Sequence, residues 1–356
     1  MTIFDLFTPE LIAAYWTEAA SNRIAYLGES LFPNRKKLGL DLSWIKGNEG
    51  LPVSLMPSAF DAKATFRDRP GIAKTETEMP FFREGFKLKE KDRQELLKLQ
   101  EVSNPYVNEV VRRYLDDARR LIEGAAVVRE RMRMALLFPT GGSPKPGFSF
   151  NANGVSYVYD YDPNSAWGTN HYIALTSTAK WDAPSTADPF TNIQTMQDQI
   201  RSETGEEVRT MIMNSVTFNL LMKCDNIKNR FLTTNGIAVG YITKQDVVRV
   251  VQDVTGMRIA VYDKQYKNES GTAAKFVPDN YVAFVPDGAL GNTWFGTTPE
   301  EADLLGNGAH DVSIVDTGVA LLRTTEEHPV GLNIFASQIV MPSYERMAAV
   351  GLMKVA

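Results

Sequence analysis

The stretch Lys275–Gly296, KFVPDNYVAFVPDGALGNTWFG, carries the same turn signal twice, first as Val277-Pro278-Asp279-Asn280 and then as Val285-Pro286-Asp287-Gly288. Proline presets φ at the first central turn position, and Asp, Asn and Gly accept the tight geometry that follows, so each signal reads as a turn. Between them Tyr281, Val282, Ala283, Phe284 and Val285 form an apolar run rich in aromatic and β-branched residues. It is too short for a helix and is bounded by breakers, which predicts a buried strand. The tail, with Gly288, Gly291 and Gly296 around Trp294 and Phe295, reads as a loop whose backbone approaches a neighbour closely while the aromatic rings pack.

At 356 residues with 44% hydrophobic composition, the chain is long enough for two or three domains and a sizeable core. The balance of 38 Lys+Arg against 43 Asp+Glu leaves a formal charge of −5, which disfavours a dedicated nucleic-acid reader or a protein drawn to anionic lipid. Cys224 is the only cysteine, so an intrachain disulfide and a cysteine-rich zinc site are excluded and a reducing compartment is expected. The opening MTIFDLFTPELIAAYW lacks the layout of a secretory signal. The uncharged stretch Pro329–Tyr344 is shorter than the ~20 apolar residues of a spanning helix. A soluble protein made in the cytoplasm is expected.

Working outward from the opening stretch, Thr8-Pro9-Glu10 starts a short helix. From Leu38 to about Gln100 the chain lacks a sustained apolar face and is interrupted by Pro52, Pro57, Pro70 and Pro80. VSLMPSAF and EMPFFREGFKL read as strands flanking the charged tip DAKATFRDRPGIAKTETE, a two-stranded arm that leans on another domain or chain. Asn104 and Pro105 then open a long helix, with Val107, Val110, Val111, Tyr114, Ala118, Leu121, Ile122, Ala125, Met132 and Ala135 at helical spacing to about Leu137. GFSFNANGVSYVYDYDPN predicts a hairpin turning at Asn153-Gly154, and a helix is expected over Phe190–Glu203. From Val208 the texture is that of a compact α+β domain: strand VRTMIMN, helix SVTFNLLMKCDNIKNRF, helix TKQDVVRVVQDVTG and strand RIAVYDKQY. A short strand VSIVDTGVALLRT follows, and VGLNIFASQIVMPSYERMAAVGLMKV supplies two more.

No catalytic set emerges. His171, His310 and His328 show no metal-ligand spacing, so no metal site is expected. DYDPNSAWGTNH begins like a calcium loop, but Ser165 stands where glycine is needed and His171 where the bidentate Glu belongs, so it reads as a turn. GALGNTWFG matches no phosphate-cradle or dinucleotide signature, and no cofactor is expected. No GxSxG elbow occurs, and Cys224 falls inside an apolar helix, where it reads as a small core residue. The long-helix segment carries Arg112, Arg113, Arg119, Arg120, Arg129, Arg131 and Arg133, balanced by Glu101, Glu109, Asp116, Asp117, Glu123 and Glu130, which describes a salt-bridged solvent face before a phosphate-binding one.

This order of elements, with ESLFPNRKKLGLDLSWIKG, the arm LPVSLMPSAFDAKATFRDRPGIAKTETEMPFF and above all FVPDNYVAFVPDGALGNTWFGTTPEEADLL, resembles the lambda-type major head proteins of tailed bacteriophages, the major capsid protein E family. The resemblance covers nearly the whole chain and implies an α+β protein with the Hong Kong 97-type capsid fold. It implies an N-arm over residues 1–40, an extended E-loop over 41–100, a P-domain with a spine helix over 101–206, an A-domain over 207–325, and a return to the P-domain over 326–356. Lys63, Arg67, Arg69 and Lys74 would lie at the tip of the E-loop, where one copy of the chain meets the next. Pro278, Asp279, Pro286, Asp287, Gly288, Gly291, Trp294 and Gly296 would shape an A-domain loop.

The resemblance further implies a non-enzymatic shell protein that forms hexamers and pentamers with itself, encloses double-stranded DNA without reading its sequence, and resides in the virion after assembly in the host bacterial cytoplasm. Scaffolding protein, portal and a decoration protein are the implied partners, with no membrane. Lys63 and Lys74 are ordinary solubilising charges on this reading, and no crosslink is expected. Two alternatives stay open: an encapsulin-like nanocompartment shell, and a hydrolase using His310 with Asp311 or Asp316, for which no nucleophile is supplied.

Overall fold

The computed structural model describes residues 8–10, 12–14, 25–46, 73–90, 94, 106–141, 144–152, 154–235, 242–305, 311–328 and 330–356. In chain order they form α1 (Leu27–Leu31), β1 (Asn34–Lys36), β2 (Asp41–Lys46), β3 (Ala73–Glu78), β4 (Phe81–Leu88), α2 (Tyr106–Leu137), β5 (Gly147–Ala152), β6 (Val155–Asp160), α3 (Ala166–Asn170) and β7 (Tyr172–Ala174). There follow α4 (Pro189–Thr204), β8 (Val208–Met213), α5 (Ser215–Lys223), α6 (Asp225–Asn235), α7 (Lys244–Thr255), β9 (Arg258–Val261), β10 (Gln265–Lys267) and β11 (Ala273–Lys275). The rest are β12 (Tyr281–Pro286), β13 (Thr293–Phe295), a π-helical turn (Glu300–Leu304), β14 (Asp311–Val315), β15 (Val319–Glu327), β16 (Val330–Pro342) and β17 (Gly351–Lys354).

Packing divides the chain into two units. One comprises Met1–Ser43, Glu76–Met132 and Gly291–Ser343, the other Trp44–Thr75, Arg133–Leu290 and Tyr344–Ala356.

The first unit is organised by β16. Its N-terminal part pairs antiparallel with β15 on one side and with β4 on the other, from Leu332↔Leu88 to Ile339↔Phe81. Its C-terminal residues Val340–Pro342 pair with β13, which pairs in parallel with β1. α2 supplies Leu115, Ala118 and Ile122 to a core shared with Ile12, Leu88, Val319, Leu321, Leu332 and Ile334. That spacing puts one apolar stripe on the sheet, and each fully buried aliphatic side chain contributes roughly 1.5–3 kcal/mol. At ~1.5 Å per residue α2 is about 48 Å long. The N-terminal expectation holds locally, since Pro9 and Glu10 are helical and the Ile12 amide donates to the Thr8 carbonyl at 3.1 Å.

The second unit is a five-stranded mixed sheet in the order β7-β17-β12-β8-β9. β12 lies at its centre, antiparallel to β17 and β8. Val282 and Phe284 face a core formed with Ile193, Met196 and Ile200 of α4, Phe218 and Leu221 of α5, and Val247 and Val251 of α7. Ala283 and Val285 are buried as well, which explains why β12 reads as an uninterrupted apolar run instead of an alternating one. β5 and β6 form the expected hairpin, in register from Gly147↔Asp160 to Ala152↔Val155.

Several expectations are corrected. SVTFNLLMKCDNIKNRF is two helices, because Cys224 turns extended (φ −61, ψ 128) after α5 and α6 restarts at Asp225, whose amide donates to Pro184 O at 2.9 Å. Cys224 is therefore a buried C-cap, with burial pushing its thiol up to about 11. VSIVDTGVALLRT is a hairpin, β14 and β15, turned by Asp316 at φ +57. RIAVYDKQY divides into β9 and β10, and EMPFFREGFKL divides between the end of β3 and β4. Ala73–Glu78, expected in the charged tip, is strand β3, paired with β2 in a two-stranded sheet. The VSLMPSAF strand, the Asn104 cap and residues 47–72 lie outside the described residues.

Candidate functional site

The two Pro-Asp turns are each held by their own polar anchor, both inside the second unit. Asn214 caps α5, with its Oδ1 accepting from the Thr217 amide and hydroxyl at 2.9 Å. Its Nδ2 donates to Val277 O at 3.2 Å and to Asp279 Oδ1 at 2.5 Å. Thr217 Oγ1 accepts from the Asn280 amide at 2.9 Å, and Asn280 holds φ +69. Lys275 closes this turn from outside by donating to Asp279 Oδ1 at 2.7 Å.

The second turn rests on arginines. Arg346 donates to the carbonyls of Asp287 and Ala289 at 3.0 and 3.2 Å while pairing with Glu206. The Asp287 carboxylate pairs with Arg258. Gly288 at φ +92 takes the left-handed position that the Pro-Asp-Gly turn requires. Pro278, Asp279, Pro286, Asp287 and Gly288 are thus brought to the two ends of β12, whose register places Tyr281 opposite Lys354 and Pro286 opposite Val208.

Gly291, Trp294 and Gly296 fall in the first unit, because the division runs between Leu290 and Gly291. The segment expected as a loop contains β13. Trp294 lies opposite Arg35 and Met341 and donates through Nε1 to Ser343 Oγ at 3.1 Å. Gly296 is where backbone meets backbone. A Cβ there would stand 2.9 Å from Gly39 O and 2.7 Å from Ile339 Cγ2.

The following GTTPEE run is a polar junction in the same unit. Thr298 Oγ1 accepts from the Glu301 amide at 3.3 Å and opens the π-helical turn. Glu300, 2% exposed, accepts from Arg83 of β4 at 2.5 Å and from Ser337 Oγ of β16 at 2.8 Å. Glu301 pairs with Lys36 of β1. Arg129 of α2, also buried, pairs with Asp316 at 2.6 Å and lies 5.4 Å from the Phe295 ring centroid. Burial lowers its pKa, with the charge of Asp316 opposing.

Lys63, Arg67, Arg69 and His310 lie outside the described residues, and Lys74 is placed on β3. Asp311 pairs with Arg323. Among the described residues no cluster of His, Cys, Asp and Glu could hold a metal, and no helix is long and apolar enough to cross a membrane. The DYDPN segment is a turn, with Asp162 accepting from the Ala166 and Trp167 amides at 3.1 and 2.9 Å. Sequence reasoning missed Asn214, Glu300 and Arg346. Asn214 directly before SVTF was a readable cap signal. Arg346 had none, because it lies 59 positions from the turn it braces.

A family model described as phage major capsid protein E matches residues 10–350. No curated protein matches the chain. Among solved structures, the chain is similar to a protein assigned as the capsid protein of a prophage of Escherichia coli CFT073, at 14% identity and TM-score 0.59, covering 98% of this chain and 99% of that one. It is similar also to a phage-related protein from Bordetella bronchiseptica RB50, at 14% identity and TM-score 0.57, covering 98% and 97%.

Proposed function

Because the chain belongs to the phage major capsid protein E family, we propose that it is the repeating subunit of the icosahedral head shell of a tailed bacteriophage, forming hexamers and pentamers around packaged double-stranded DNA. The protein has the Hong Kong 97-type capsid fold, and its role is structural and not enzymatic. The family match across residues 10–350 is the observation that carries the reading.

In this reading residues 101–206, with α2, and the return over 326–356 are the peripheral domain, and residues 207–325, with β12, are the axial domain. Residues 1–40 act as a strap, and residues 41–100, with Lys63, Arg67, Arg69 and Lys74, reach a neighbouring copy. Ring formation by a head-to-tail interface that closes, repeated over many copies, gives a stable shell from individually weak contacts. The net charge of −5 suits an enclosure that tolerates DNA without gripping it. Scaffolding protein, a portal and a decoration protein are the partners such a shell takes, and the virion is its destination after assembly in the host cytoplasm.

Negative-stain electron microscopy of the expressed protein tests this. Hollow shells, tubes or capsomer rings are expected. A persistent monomer with a hydrolytic activity that is lost in His310→Ala would overturn it.

A further inference from the structure

His171 stands at the C-terminal end of α3 and is 5% exposed. Its amide donates to Trp167 O and its carbonyl accepts from the Leu352 amide of β17, both at 2.8 Å. The ring stacks on Trp167 with centroids 6.0 Å apart, and Nε2 lies 3.0 Å from Glu203 Oε2 on α4. Nδ1 is buried with no hydrogen-bond partner among the described residues.

A neutral ring suits this pocket. Nε2–H donates to Glu203 and Nδ1 keeps a bare lone pair, whereas a second proton would make Nδ1 a buried donor without an acceptor. Two carboxylates oppose the burial: Glu203, whose own pKa burial raises, and Asp162. Asp162, between β6 and α3, already accepts from the Ala166 and Trp167 amides. On β17 the ionisable residue is Lys354, which is exposed and lies opposite Ala174. Burial accordingly holds the imidazole at about 4, with the Asp162 charge opposing.

The elements attached to His171 are short. β7 begins at the next residue, is three residues long, and among the described residues is an edge strand paired with β17. α3 is a helix of five residues. Short edge elements open at a free energy below that of the whole unit.

We propose that His171 is an acid-sensitive wedge whose protonation expels the ring and frees α3 and β7 from β17 while the remaining four strands stay paired. The proton comes from solvent and adds to Nδ1. The proposal goes beyond the shell function and does not depend on it.

Hydrogen exchange of the full chain, expressed as protection relative to the unstructured-chain rate at each pH, tests it. Since the opened ring regains its ordinary affinity for protons, protection over residues 166–175 should fall by about fortyfold between pH 6.5 and pH 4.5. Strands β12 and β8 should hold theirs. His171→Gln should abolish the fall, and His171→Phe, which keeps an apolar ring on Trp167, serves if the first variant does not fold. An equal fall in the variant, no fall in the wild type, or a loss spread over all five strands would overturn the proposal. The absence of shells in microscopy would leave it standing.

Discussion

Arg83 of β4 donates to the carboxylate of Glu300 at 2.5 Å, although the two residues are 217 positions apart. Glu300 is buried and its other oxygen takes the Ser337 hydroxyl, so the π-helical turn is tied to two neighbouring strands of one sheet. Removing Arg83 alone leaves a buried carboxylate with one neutral donor. Arg83→Met should therefore destabilise the first unit by about 2–4 kcal/mol, and adding Glu300→Gln should restore a large part of that loss. Urea midpoints of the single and double variants measure it, and purely additive losses would contradict the pairing.

Glycine positions separate close packing from chain entropy. Gly296→Ala would press a methyl against Gly39 O and Ile339, which should destabilise by about 1–3 kcal/mol. Gly124→Ala, within α2 where nothing lies within 4 Å of a new Cβ, should stabilise by about 0.5–1 kcal/mol. Thermal midpoints moving in the same direction for both would refute the contrast.

Two of the helix caps, Thr243 and Asn214, should differ in weight. Thr243 closes a capping box with Asp246 at the start of α7, and Thr243→Ala should cost about 1 kcal/mol. Asn214→Ala removes a cap and both contacts to the first Pro-Asp turn, so a loss of about 2–3 kcal/mol is expected. Equal losses in chemical denaturation would mean that Asn214 acts only as a cap.

Stability should rise with pH over an acid window. His171 is held at about 4 in the fold against 6.5 in the unfolded chain, so between these values the unfolded chain binds the extra proton. The contribution is complete above pH 6.5 and is lost as pH falls toward 4, reaching up to about 3 kcal/mol. Urea midpoints at pH 4.5 and 7.5 should diverge in the wild type and converge in His171→Gln. A slope unchanged by the substitution would sink the assignment.

Much of the fold was legible because its signals are local. The apolar run from Tyr281 is β12 (Tyr281–Pro286), the periodicity up to Leu137 is α2, and the expected hairpin is β5 paired with β6, with Gly154 at φ +78 and Asn153 outside the described residues. The errors have local causes as well. Asp316-Thr317-Gly318 was a turn signal within an apolar run, and Asp225 following Cys224 marked a second helix start. The Pro-Asp segments at the two ends of β12 were readable from turn chemistry. Arg346, Glu206 and Glu300 were not, since nothing in a neighbouring residue reveals a partner brought by the fold.

Most of the elements and the family were readable from the chain alone, because propensity, turn chemistry and motif wording are carried by adjacent residues. That Lys275–Gly296 is not one piece came from the packing of the folded chain. Its first part ends as the central strand of one sheet, and after Leu290 the chain enters another, where Trp294 bonds Ser343 and Gly296 meets Gly39. That division depends on long-range strand pairing and burial, which are set by residues distant in the chain and leave no mark on the stretch itself.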